Sequence, residues 1–389
     1  MLVAASGPHA AHHPLLSRSS LLSPAVVLHA SGLVPPGVTR AGRHGHEHEH
    51  QRSARARRRT AEELRAAAAS CASAPAHGVR FARTEPALAS AHFDGSVRVW
   101  DATGECALRG VAWCGDGAAA LAVEFGPRDA DLAVATSAGY AVVVDAETLR
   151  VTDRLQGHAS YVNAVAWVGD AGLLATSSDD ATVRVWDARQ PNAPALVCEL
   201  PREATAVCGN PRDDGVVYSG CLDGAVRAHE LRAFSSVDEP GCVTCRGHRD
   251  VVTGLAPHPD GRRVLSYGLD GWLLEFDVQP FCASPDRATL RVAHAVPDPA
   301  RASFVLASTS DRALIRCAYN ARGTRLACGA SSVAGFAVAV YDHRGTPLFA
   351  LPGHSGVVVE AAFSPSEPVL ASAAMDGRVI VGEIPPEIV

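Results

Sequence analysis

A chain of 389 residues is long enough for two or three average domains or for one repeat array. None of its 35 basic residues is a lysine. The charge is also split: residues 1–77 carry nine arginines against four glutamates (+5), and the remainder carries 26 arginines against 37 acids (−11). The missing lysine excludes a Walker-type phosphate loop, and the acidic remainder argues against non-specific binding to a phosphate backbone. No run of eighteen apolar residues is present, so no transmembrane helix is expected.

Taken in order, residues 1–59 are rich in His, Pro, Ser and Arg with little periodic pattern, which predicts a disordered extension. The first 46 residues contain no acid, as in a transit peptide. The basic run from Arg52 to Arg59 reads either as a nuclear import signal or as a solvated tail. His44, His46, His48 and His50 alternate with Gly45, Glu47 and Glu49, and are read as a flexible polar tract rather than a metal site. Thr60 and Glu63 form a capping box that opens a short helix over 61–71. The β-like run ahead of this is Ala25–His29. The eleven cysteines follow no framework spacing and read as reduced thiols buried as small hydrophobes.

From Gly78 the pattern changes to short alternating strands, clearest between Gly157 and Asp187. That stretch opens on Gly-His, closes on Trp-Asp, and holds three strand-like runs separated by Gly169–Gly172 and Asp179-Asp180. Aligning its final dipeptide along the chain finds Trp100-Asp101, Val144-Asp145, Trp186-Asp187, His229-Glu230, Phe276-Asp277, Tyr341-Asp342 and Gly382-Glu383. Successive acids lie 44, 42, 43, 47, 65 and 41 residues apart, the period of a four-stranded propeller blade, with an insertion between the fifth and sixth units. The fold class is therefore all-β: a seven-bladed WD-repeat β-propeller over 78–384, preceded by a low-complexity extension over 1–77. Gly-His is absent from the first, second and fourth units, and the turn aspartate is replaced by Ala138 in the second and Gly335 in the sixth. The last unit ends after its third strand. Its sheet needs an outer strand from elsewhere, and Ala25–His29 is the candidate.

His158, Asp180 and Ser178 (or Thr176, on the same strand face) invite comparison with a hydrolase triad. The arrangement recurs at His248/Asp270 and His354/Asp376, however, whereas an active site needs one copy. It reads as a structural tetrad in which Trp186 ends the relay, each buried charge-assisted bond contributing roughly 1.5–3 kcal/mol. Cys242, Cys245 and His248 offer three zinc ligands without a fourth, so no metal site is assigned. No other set assembles nucleophile, base and oxyanion donor, and neither catalytic residues nor a cofactor are expected. Arg189 and Arg232 follow the third strands of adjacent units. They form the candidate partner-binding pair, against the plainer reading of local ion pairs.

The chain also resembles a particular family of WD-repeat proteins, the 40-kilodalton subunits of the spliceosomal U5 small nuclear ribonucleoprotein. The resemblance rests on LQGHASYVNA and TSSDDATVRVWDARQ in the third unit and on CRGHRDVVTGL with LLEFDVQPF in the fifth. LIRCAYNARGTRLACGA in the sixth unit and LPGHSGVVVEAAFSPSEPVLASAAMDGRVIVGEI in the seventh complete it. It covers about 151–384, and more weakly 78–150, while the N-terminus and the connection over 282–312 depart from it. It implies a nuclear, non-enzymatic scaffold in pre-mRNA splicing, monomeric within a larger complex, with spliceosomal protein partners, no membrane contact, and RNA contact indirect if any. The alternative, suggested by the WDAR of 186–189, is a substrate receptor of a cullin-RING ubiquitin ligase.

Overall fold

The computed structural model describes residues 26–28, 74–102, 106–170, 172–234, 242–278, 288–293, 314–332 and 335–384. The expected extension disorder, the helix over 61–71, the histidine tract and the basic run lie outside the described residues.

Seven four-stranded antiparallel sheets form the seven-bladed propeller. Blade 1 comprises Ala76–Phe81, Ala87–His92, Ser96–Asp101 and Leu108–Trp113. The inner strands of blades 2 to 7 are Ala120–Phe125, Val162–Val168, Ala204–Gly209, Val252–Pro257, Cys317–Tyr319 and Val358–Phe363. Each inner strand packs against those of both neighbouring blades, so the seven surround a central channel. Every sheet is covered on both faces by its neighbours, which explains why strands such as Ala87–His92 are buried at every position rather than at alternate ones. Small residues allow the inner strands to approach closely: a Cβ on Gly209 would meet the Trp167 carbonyl oxygen of the neighbouring inner strand at 2.7 Å.

The sequence repeat is offset from the blade. The strand before each Gly-His is the outer strand of one blade, and the three strands after it open the next. Val151–Gln156, for instance, completes blade 2 ahead of His158. The last blade is left with Val358–Phe363, Val369–Ala374 and Val379–Glu383. Its outer position is taken by Val26–Leu28, antiparallel in the register Val26↔Val381, Val27↔Ile380, Leu28↔Val379. The ring is thereby closed by the two ends of the chain.

Six inner strands share a feature that the hydrophobic pattern does not show. The ladder to the second strand slips by one residue at His77, Leu121, Asn163, Thr205, Thr253 and Val359. A β-bulge of this kind re-aims one side chain, and here all six line one mouth of the channel.

Blade 6 is built differently. Its middle strands, Arg325–Ser332 and Gly335–Asp342, are eight residues long, so Gly335 pairs within the ladder instead of standing in the turn. The described cysteines are all free thiols, and all but the half-buried Cys242 are buried. Among the described residues no helix is long and apolar enough to cross a membrane.

Candidate protein-binding site

The loops entering the inner strands and the turns between second and third strands lie on one face, which also carries the His–Asp pairs. In blade 3, His158 Nδ1 lies 2.8 Å from Asp180 and its Nε2 lies 2.7 Å from the Thr176 hydroxyl. Trp186 Nε1 donates to that hydroxyl at 2.9 Å. Burial opposes the Asp180 charge, but hydrogen bonds from His158 and Thr182 outweigh it and hold the carboxyl well below its ordinary range. The hydroxyl of the relay therefore belongs to Thr176 and not to Ser178. The Ser178 hydroxyl instead accepts from Asp180 N at 3.1 Å and donates to the Ser160 carbonyl at 3.4 Å, bracing the loop.

Blades 5 and 7 carry shorter relays. His248 bridges Asp270 (3.0 Å) and Ser266 (2.7 Å), with Phe276 edge-on to its ring where blade 3 has Trp186. His354 bridges Asp376 (3.3 Å) and Ser372 (2.8 Å). Burial raises the Asp376 carboxyl, but the bonds from His354 and Ser355 N prevail and bring it to about 2.

Blades 1 and 4, which lack Gly-His, solve the same problem with other residues. In blade 1, His92 rises from the second strand to the Ser90 hydroxyl at 2.9 Å, and Trp100 Nε1 donates to that hydroxyl at 3.0 Å. In blade 4, His229 occupies the tryptophan position and reaches Ser219 at 2.8 Å. Burial, aided by Arg98 and Arg227 respectively, pushes both rings down to about 3, so both are neutral. The turn aspartates then take an arginine four residues on: Arg98 lies 3.5 Å from Asp94, and Arg227 lies 2.5 Å from Asp223. Both arginines are 2–3 % exposed. Arg184, at the matching position of the intact blade 3, stays 17 % exposed. The gap left by the missing loop histidine draws the guanidinium inward.

Arg316, just before the inner strand of blade 6, fills the channel. Its guanidinium donates to the carbonyls of His77 (2.8 Å), Leu121 (3.2 Å) and Asn163 (3.0 Å), one from each of blades 1, 2 and 3. Glu360 of blade 7 lies 3.6 Å away, also pairs with Arg80 at 2.5 Å, and accepts from Val79 N at 2.8 Å. Burial lowers the Arg316 pKa while Glu360 opposes that. A cavity of about 440 Å³ opens beyond Arg316 on the opposite face, and the mouth on the His–Asp face is smaller.

Arg316 was not singled out by the sequence. Its only signal was a lone arginine at the position where other units carry the bulge residue.

The rim arginines sit on the opposite face, at the ends of the third strands of blades 3 and 4. Arg189 is 73 % exposed and forks onto Asp187 through Nε (2.9 Å) and Nη2 (3.0 Å). Arg232 is exposed in the short turn Leu231–Ala233. Cys245 is buried and His248 is occupied by its own relay. Among the described residues no group of three His, Cys, Asp or Glu side chains is placed to hold a metal ion.

A ring of seven such sheets, laced by a repeated His–Asp–hydroxyl relay, defines a WD-repeat β-propeller. The WD domain, G-beta repeat model matches residues 70–101, 149–187, 241–277 and 345–381. The chain is similar to the human U5 small nuclear ribonucleoprotein 40 kDa protein, 30% identical over 243 residues that make up 62% of each chain. It is also similar to the Dictyostelium discoideum protein of that name, 26% identical over 77% of this chain and 79% of the relative. Pre-mRNA-splicing factor cwf17 of Schizosaccharomyces pombe is 27% identical over 59% of this chain and 61% of its own length. The match thus spans somewhat less than two thirds of the human relative.

Proposed function

We propose that this chain is a non-enzymatic scaffold of the nuclear pre-mRNA splicing machinery, acting as a component of the U5 small nuclear ribonucleoprotein. The observation that carries the reading is the similarity to the U5 40 kDa proteins and to a second splicing factor across most of the propeller. The chemistry of the face agrees with it, because the His–Asp relays are repeated and inward-facing and serve blade cohesion. Partners are spliceosomal proteins, and the acidic propeller makes any RNA contact indirect.

Arg189 and Arg232, on the opposite rim, would be the docking pair of the alternative reading, a ligase receptor, since a guanidinium fork suits a partner carboxylate. Arg189 is already committed to Asp187, so a partner must compete with an internal acid. Gradient sedimentation of nuclear extract tests the reading. The chain is expected to migrate with particles containing U5 small nuclear RNA, and to do so when Arg189 and Arg232 are both replaced by Gln. Migration with a cullin instead, abolished by the same replacements, would establish the ligase-receptor alternative.

A further inference from the structure

The mouth of the channel on the His–Asp face has an unbalanced charge. Asp179 is hydrogen-bonded to the Asn163 amide at 2.6 Å, and among the described residues no arginine or histidine pairs with it. Glu203, which lines the same mouth, has only the exposed Arg202 against it. Burial pushes the Asp179 carboxyl up against the Asn163 hydrogen bond, and the neighbouring Glu203 and Asp180 charges push it further. His77 also lines this mouth, its Nε2 buried and without a hydrogen-bond partner among the described residues, while its ring stacks at 5.7 Å on Phe93, which is 58 % exposed. Arg316 closes the floor, sharing Glu360 with Arg80. Above Arg316 the mouth therefore has an acidic, aromatic-edged wall formed by Asp179, Glu203, His77 and Phe93.

The topology supplies an occupant. Third strands run away from the His–Asp face, and Val26–Leu28 runs antiparallel to one, so the chain leaves Leu28 on that face. It returns at Ala74 and Pro75, where Phe93 N donates to the Pro75 carbonyl at 2.9 Å, again on that face. The connection 29–73 thus starts at the outer rim of that face and ends beside the mouth, and it carries Arg52, Arg55, Arg57, Arg58 and Arg59. Only residues 60–73 separate Arg59 from Ala74, three positions before His77. A connection of fourteen residues is long enough to span about 20 Å, which would hold the arginines at a millimolar-order effective concentration near the mouth.

We propose that the Arg52–Arg59 segment of this chain docks on the channel mouth, an arginine tip lying between Asp179 and Glu203 against His77. The docked segment competes with any basic segment of a partner that seeks the same mouth. This holds whichever complex the propeller joins.

The test uses the full-length protein and a fluorescent peptide of residues 50–61 added in trans, with binding read by polarisation. Replacing Arg52, Arg55, Arg57, Arg58 and Arg59 together by Gln removes the tethered competitor and is expected to tighten peptide binding by about tenfold. Adding Asp179→Asn and Glu203→Gln to that variant is expected to reverse the gain. Should Asp179→Asn lower the thermal midpoint, Glu203→Gln alone carries the test, with a several-fold loss expected. Equal affinity for the wild type and the five-arginine variant overturns the proposal, leaving the mouth to a partner's segment. Equal affinity with and without the carboxylate replacements also overturns it, because the peptide then binds elsewhere.

Discussion

Thr176 shows what one hydroxyl contributes and why the sequence could not choose it over Ser178. Side chains two apart share a strand face, so the pattern admitted both, and the decision lies in reach. Thr176 faces Arg184 across the ladder, which sets it beside the Trp186 ring, while Ser178 sits at the turn. Thr176→Val strands His158 Nε2 and Trp186 Nε1 in a dry site, and is expected to lower stability by roughly 1–3 kcal/mol in urea unfolding. Ser178→Ala should cost clearly less, and equal losses would contradict the assignment. The neutral buried histidines carry a pH signature. With folded values near 3 for His92 and His229, and unfolded values near 6.5, the unfolded chain binds more protons between those limits. Their stabilisation is full above pH 6.5 and is lost as pH falls, at up to about 1.4 kcal/mol per unit for each ring. His229→Gln should flatten that slope between pH 6.5 and 4 in calorimetry, and an unchanged slope would rule the ring out as its source.

Counting dipeptides identified seven units because each blade needs a turn between second and third strands and a stop after the third. The count survives the loss of individual consensus residues. What compensates for a lost residue was not readable, because His92, Arg98, His229 and Arg227 become partners only once the missing loop histidine leaves space on the folded blade. The bulges were equally hidden, since a one-residue slip leaves no compositional mark. Three strands in the last unit were countable, and the outer place in that sheet is filled by only three residues, Val26–Leu28. Proline at Val27 fixes φ and removes the central amide of this short ladder. Val27→Pro is therefore expected to speed amide exchange across Val379–Glu383 and leave Thr182–Asp187 in blade 3 unchanged. Equal acceleration in both strands would mean that closure is not local to blade 7.

The molecule as a whole is a ring whose inner strands meet at one buried cation. Arg316 ties blade 6 to blades 1, 2 and 3 across the channel and answers Glu360 of blade 7, so it acts on the closed ring rather than on its own sheet. Arg316→Met leaves three carbonyls without that donor and Glu360 with Arg80 alone. A loss of about 3 kcal/mol in unfolding free energy is expected, with a single cooperative transition retained; no loss would show the network to be neutral. The two faces differ in kind. One carries the His–Asp relays, the Asp179 carboxylate and the exposed Phe93, while the other carries Arg189 and Arg232 at its rim. Sequence similarity to splicing proteins gives this two-faced ring its proposed setting, and that setting is the claim on which the functional account depends. Affinity purification of the tagged full-length chain from nuclear extract, read by mass spectrometry, tests it most directly. Protein components of the U5 particle are expected to co-purify with the chain, and recovery of the chain with no splicing protein would contradict the proposed setting.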